Sequence, residues 1–255
     1  MLYVNTCTLY HLLSASKHLF THFCLFIAFE NESFLGIAMS IRGERKQQSR
    51  QALLDAALKL STSGRSFSTI SLREITREVG LVPTAFYRHF EDMDRLSEAL
   101  IEQVSERLHQ IIFHLRQGYL SHASAKTQTS IQLFFRAVDT SPQDWIFLIA
   151  ERWGGSETVR QAIAREIDVL IADLAQDLSL SSDFQHIESA TDLQVMSSIL
   201  VNLSFTWAMT WLNAAEQYTG GELIDWQQHY IEQVTTQARL LFRGIDHWQS
   251  EKNPT

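Results

Sequence analysis

The sequence predicts an all-α protein. Long stretches carry apolar residues at helical spacing, and only 10 glycines and 3 prolines interrupt 255 residues. No alternating apolar and polar run and no hairpin dipeptide marks a strand. Charge divides the helices into two parts. The net charge is −8. Residues 39–91 hold nine Lys/Arg and five Asp/Glu, or +4, which leaves −12 for the rest. A small basic module ahead of an acidic body is the asymmetry expected of a nucleic-acid-binding head on a sensing or dimerising domain.

The head reads as three helices. The first runs from Arg50 to Ser63 with Leu53, Leu54, Ala57, Leu58 and Leu60 inward, and stops at Gly64. Ahead of it, Ser40 to Ser49 is polar and basic, and Arg45 and Lys46 read as phosphate contacts from an arm. The second starts at Ser71. Ser71 and Glu74 have capping-box spacing, and Ile70 and Ile75 sit where a hydrophobic staple forms. Leu72, Ile75 and Val79 share a face, and Gly80 ends the helix. Pro83 suits the first turn of a third, very short helix. Phe86 and Phe90 face inward there, leaving Thr84, Ala85, Tyr87, Arg88 and His89 outward. A capped helix followed by a short helix with hydroxyl, cation and imidazole outward is a helix-turn-helix that reads with its second helix.

At these residues the chain resembles a known family. ISLREITREVG followed by GLVPTAFYRHF is similar to the DNA-binding signature of the TetR family of bacterial repressors. The likeness covers about fifty residues closely, upstream through the first helix, Gly64, Phe67 and Thr69. A looser likeness through LIAERWGGSETVRQAIAREIDVLIADL resembles the branch that represses unsaturated fatty-acid synthesis and acyl-chain desaturation. Val82 and Pro83 stand where the wider family often has polar residues. Val82 cannot cap, so packing and the proline are expected to hold the start of the reading helix. The resemblance implies that Arg88 and Thr84 contact base edges or adjacent phosphates, with Ala85 beside them. It also implies that Tyr87, His89, Ser71 and Arg73 contact phosphate oxygens of a double-stranded operator.

The body reads as residues 92–249. Asp92 is a plausible N-cap for a long helix to about Gly118. Ser141-Pro142-Gln143-Asp144 opens a helix carrying Trp145, Phe147, Leu148 and Trp153. Gly154-Gly155 closes it, and Ser156 caps the next helix, to about Leu180. Thr191 and Gln194 have capping-box spacing for a helix to about Tyr218, and Gly220-Gly221 separates it from a last helix to Trp248. Phe134, Phe147, Arg152, Trp207 and Trp211 are the candidates for an apolar effector pocket, with core packing the alternative for each aromatic. Ile231, Val234, Ala238, Leu241 and Ile245 form a heptad-like seam on the last helix. The family dimerises through its last two long helices, so the resemblance implies a homodimer interface there.

Residues 1–38 do not match the rest. Leu19 to Phe29 is too short to span a membrane, and no signal-peptide cleavage pattern follows. The expectation is a non-native or loosely ordered extension, with residues 250–255 a tail. Cys7 and Cys24, the only cysteines, both lie in it. With His11, His18 and His22 they fit no paired-ligand spacing, and no metal or other cofactor is expected. A body without cysteine fits a reducing cytoplasm. No Gly-rich phosphate loop, nucleophile elbow or HExxH occurs, so the reading is not an enzyme. The resemblance implies a hydrophobic effector, a long-chain acyl-CoA or acyl carrier protein thioester. The alternatives are a repressor of an efflux or catabolic operon sensing another apolar compound, and a DNA-binding dimer with no ligand.

Overall fold

The computed structural model describes residues 43–120, 127–181 and 184–248, and every regular element among them is helical. The extension expected over 1–38, with its two cysteines, and the tail over 250–255 lie outside the described residues. The chain divides into two compact units, Met1–Ala52 and Leu53–Thr255.

Helix α1 (43–61), whose residues 43–52 belong to the first unit and 53–61 to the second, already begins at residue 43, seven residues before the predicted start. Arg45 and Lys46 are therefore exposed helical residues rather than part of an extended arm. The sequence Glu-Arg-Lys-Gln-Gln contains only good helix formers, which is why the helix continues through it. The Ser49 hydroxyl donates to the Arg45 carbonyl at 2.8 Å.

The second unit holds a 3-10 turn (Phe67–Thr69) and helices α2 (Leu72–Glu78), α3 (Pro83–Phe86), α4 (Met93–Leu120), α5 (Thr127–Thr140), α6 (Pro142–Glu151), α7 (Glu157–Leu180), α8 (Ala190–Gln217) and α9 (Gly220–Asp246). At 1.5 Å per residue, the 28-residue α4 is about 42 Å long. Asp92 caps its first turn by accepting from the Arg95 amide at 2.8 Å. Leu96, Leu100, Ile101 and Val104 of α4 lie in one continuous core with Ile75 and Phe86 on one side and Trp145 and Phe147 on the other. The packing thus does not break at residue 91, because a single helix supplies apolar residues to both sides. Asp144, seen in the sequence as a helix-start acid, has a larger role. Buried on α6, it accepts two hydrogen bonds from Arg107 of α4, at 2.8 Å from Nε and 2.5 Å from Nη2. This bidentate pair fixes α6 against α4.

Three details depart from the sequence reading. Helix α8 begins at Ala190 and is capped by Ser189, whose hydroxyl accepts from the Asp192 amide at 3.1 Å; the Thr191–Gln194 box does not form. Ser141 precedes α6 without a side-chain cap, so proline alone marks that start. Helix α5 was not anticipated, and it buries Ile131, Phe135 and Val138. Helix α8 is long and apolar enough by composition to cross a membrane. Here its apolar residues Leu193, Val201, Phe205 and Trp211 are instead buried in the protein.

Candidate nucleic-acid interface and effector cleft

The helix-turn-helix forms as local chemistry dictates. The Glu74 amide donates to the Ser71 hydroxyl at 3.3 Å, and the Glu74 carboxylate accepts from the Ser71 amide at 2.9 Å. The other carboxylate oxygen accepts from Arg65 Nη1 at 2.9 Å, and Arg65 also donates to the Thr69 carbonyl at 2.9 Å. The Arg65 hydrogen bond first, then the Ser71 bonds, hold the Glu74 carboxyl down at about 2. The folded value lies below the ordinary 4.5, so this stabilisation is present above 4.5 and lost as pH falls toward 2. The melting temperature of the wild type should exceed that of Glu74→Gln at pH 6, and the difference should shrink steadily in a melting series as pH falls from 4.5 toward 2.

Gly80 takes φ +68°, and the Leu81 amide donates across the turn to the Thr76 carbonyl at 2.8 Å. A Cβ at Gly80 would meet no neighbour, so it is the positive φ that favours glycine. Helix α3 is a single turn. Val82, just ahead of it, is 64% exposed and does not hold its start. Pro83 and the bond from the Ala85 amide to the Val82 carbonyl, 2.9 Å, do so. Phe86 is fully buried and anchors the turn, 5.7 Å edge-on from the Tyr87 ring and 5.6 Å from Phe90. Thr84, Tyr87 and Arg88 are exposed, Ala85 and His89 half-buried, and Ser71 and Arg73 exposed at the start of α2. The sequence-predicted set of the second unit is therefore presented on α2, α3 and the turn after α3. Arg45 and Lys46 belong to the other unit and are exposed there.

A connection that the sequence did not reveal joins this head to α6. Glu151, the last residue of α6, is 2% exposed. Its carboxylate accepts from the Phe67 amide at 2.7 Å and from the Ser66 hydroxyl at 3.2 Å. Gly155 approaches the same loop: its amide donates to the Ser66 hydroxyl at 3.4 Å, and a Cβ there would stand 2.4 Å from Ser68 Oγ. Glu151 carries no motif in the sequence. Only its burial and its partner 84 positions away reveal the role.

The aromatic pocket candidates are mostly core. Phe147 is fully buried. Trp211 stacks on Phe135 at 4.2 Å and donates from its ring N–H to Asp139 at 2.8 Å. Trp207 donates likewise to Gln237 at 2.7 Å. Phe134 packs edge-on against Phe135, Trp145 and Trp207. These rings fill space rather than enclose it. A small cleft of about 10 Å³ lies instead among Ser105, Leu108, His109, Ile112, Leu148, Glu166, Ile167, Leu170 and Phe205. Sequence reasoning missed these residues, since they are scattered over α4, α6, α7 and α8 and carry no shared motif. Arg152, the one charged candidate, stands beside the cleft with its guanidinium 5.4 Å from the Phe205 ring.

The seam of the last helix is also corrected in part. Val234, Ala238 and Ile245 are 0%, 2% and 7% exposed within the single chain, with Ile231 and Leu241 half-buried. α9 lies against α5 and α8, which take up the heptad face. The exposed apolar residues of these two helices are others, among them Val195 and Ile199 on α8 and Leu240 on α9.

Comparison with known proteins accords with this arrangement. Residues 123–234 match the family model of the tetracyclin repressor-like C-terminal domain. Among solved structures, the chain is similar to the regulator FadR from Bacillus subtilis, in complex with stearoyl-CoA, at 12% identity and a TM-score of 0.52, covering 78% of this chain and 99% of that one. It is similar to the fatty acid degradation regulator FadR from Bacillus halodurans at 10% identity and 0.52, covering 77% and 93%. It is also similar to a protein assigned to the TetR family of transcription regulators from Shewanella sp. PV-4, at 20% identity and 0.53, covering 76% and 96%. At such identities the likeness is one of fold. Residues 123–234 thus resemble a tetracyclin repressor-like C-terminal domain, and the likeness to the solved structures is one of overall fold.

Proposed function

We propose that this protein is a cytoplasmic transcriptional repressor that binds a palindromic operator as a homodimer and responds to an apolar effector, a long-chain acyl thioester in the control of unsaturated fatty-acid supply. The observation that carries the DNA-binding reading is the outward face of α3 and its following turn. Thr84, Tyr87 and Arg88 are presented to solvent by a turn anchored on a fully buried Phe86. Arg88 is the specifying residue in this reading, because a guanidinium can donate two parallel hydrogen bonds to the O6 and N7 of guanine. Val82, exposed at the start of α3, offers an apolar contact to a thymine methyl. Tyr87, His89, Ser71 and Arg73 contact phosphates, as do Arg45 and Lys46 from their own unit.

Dimerisation is assigned to α8 and α9 through their exposed apolar residues, Val195, Ile199 and Leu240, rather than through the buried seam. The effector is assigned to the cleft lined by Leu108, Leu148, Leu170 and Phe205, which at about 10 Å³ has to widen to admit a chain. Support for an acyl thioester comes from the sequence likeness to the fatty-acid branch and from the stearoyl-CoA bound to the Bacillus subtilis neighbour.

The test separates specifying from positioning. The operator is first recovered by sequencing the genomic fragments that the protein selects. At fixed salt, Arg88→Ala should then weaken operator binding by about 1–3 kcal/mol and relax preference at one base position. Tyr87→Phe should weaken operator and scrambled DNA alike, since phosphate contacts carry no sequence information. Equal losses on both DNAs for Arg88→Ala would make Arg88 a phosphate clamp and pass base reading to Thr84 and Ala85.

A further inference from the structure

Residues 151–155, at the end of α6, are held by three other parts of the second unit. The buried Glu151 carboxylate accepts from the Phe67 amide at 2.7 Å and from the Ser66 hydroxyl at 3.2 Å, just ahead of α2. The next residue, Arg152, donates from both terminal nitrogens to the Asn202 side-chain oxygen on α8 at 3.2 Å. Its guanidinium also lies 5.4 Å from the ring of Phe205 on the same helix. From α7, Arg160 donates to the Gly154 carbonyl at 2.6 Å. Asn202 is itself fixed, because its amide nitrogen donates to the Ser198 carbonyl at 2.7 Å and leaves the oxygen toward Arg152.

The segment has little room to give. A Cβ on Gly154 would collide with the Glu151 carboxylate, and one on Gly155 with the Ser68 hydroxyl. Consecutive Cα atoms are held about 3.8 Å apart, so Glu151 cannot follow the head while Arg152 follows α8 independently. On the head side the contacts continue to the capped helix. Arg65, next to Ser66, donates to the Glu74 carboxylate and to the Thr69 carbonyl, each at 2.9 Å. On the body side they reach the surface. Asn202 is exposed, and Ile199 and Val195, three and seven residues earlier, lie on the same outward face of α8.

We propose that residues 151–155 form a rigid joint through which the outward face of α8 sets the position of the helix-turn-helix. Asn202 and Arg152 are then positioning residues for operator binding, although neither belongs to the set assigned to DNA. They act through Glu151, which alone of the three touches the head. The inference rests on the proposed function, in which that face of α8 meets the second copy, and it adds the route by which contact between copies reaches the reading helix.

Hydrogen exchange of the full chain, wild type against Asn202→Ala, tests the joint without DNA. The Phe67 amide donates to Glu151, so it reports the side of the joint away from Asn202. Asn202→Ala should quicken its exchange about threefold or more, as coupling through a packed network does. The amides of Phe135 and Val138 on α5 should be unchanged, as should melting temperature and sedimentation, because Asn202 is exposed. Asn202→Asp keeps the acceptor facing Arg152 and should exchange no faster than wild type at Phe67. Operator affinity at fixed salt should fall about threefold or more in Asn202→Ala. In a Glu151→Ala background the same substitution should cost nothing further, whereas independent effects would multiply. Unchanged Phe67 exchange in Asn202→Ala, equal quickening on α5, or multiplying losses in the double variant overturns the joint. So does affinity lost only together with the dimer. A monomeric wild type, or one that selects no preferred DNA, overturns the proposed function instead, and the Phe67 exchange then still decides the joint.

Discussion

Phe86→Ala should abolish DNA binding and cost about 3–5 kcal/mol of stability, the range for emptying a buried phenylalanine site. That is a large share of the roughly 5–15 kcal/mol available to a whole domain. The expected severity follows from how little else holds α3. The helix is four residues long, has no side-chain N-cap, and exposes Val82 and Tyr87. Its one fully buried side chain is Phe86, packed beside Phe90 and Tyr87. Because Phe86 belongs to the same continuous core as Leu96 and Trp145, the loss should appear in the main urea transition rather than as a separate early step. Phe86→Leu, which keeps most of the volume, should cost clearly less and retain operator binding. If Phe86→Ala unfolds at the wild-type urea midpoint, the anchoring role is wrong.

Glu151→Ala should separate the head from α6 without emptying a large core site. It removes both acceptors of the Phe67 amide and Ser66 hydroxyl and leaves a buried N–H unpaired, at about 1–3 kcal/mol. Glu151→Gln keeps a carbonyl oxygen able to accept from Phe67, so it should cost much less. The two variants thereby distinguish the hydrogen bond from the charge. Amide exchange at Phe67 and its neighbours should quicken in the alanine variant and stay near wild type in the glutamine one. Operator affinity should follow the same order, because the 3-10 turn at Phe67–Thr69 leads directly into the capped start of α2. Unchanged exchange at Phe67 in Glu151→Ala would mean that the contact does not hold the head.

The sequence by itself determined what depends on near neighbours along the chain. The helical class follows from apolar periodicity. The Ser71–Glu74 box, the positive φ at Gly80, the proline start of α3 and the inward Phe86 and Phe90 all follow from chemistry within a few residues. These local rules suffice for a helix-turn-helix because each of its elements is only one or two turns long.

The tertiary structure decided the rest, since it depends on partners far away in sequence. Glu151 and Phe67 are 84 residues apart, and Arg107 and Asp144 are 37. Nothing near Glu151 says that its carboxylate is buried. The seam on α9 shows the same limit most clearly. Its heptad spacing was correctly legible as an apolar face, but spacing does not name the partner. With α5 unread, the face had no occupant in its own chain and was assigned to a second subunit. α5 and α8 cover it instead, and Val234 and Ala238 are buried there. The aromatic candidates moved into the core for the same reason: a ring's place in a wall or a packed interior is set by which helices close around it. An apolar pattern determines that a face must be covered, and only the folded chain determines what covers it.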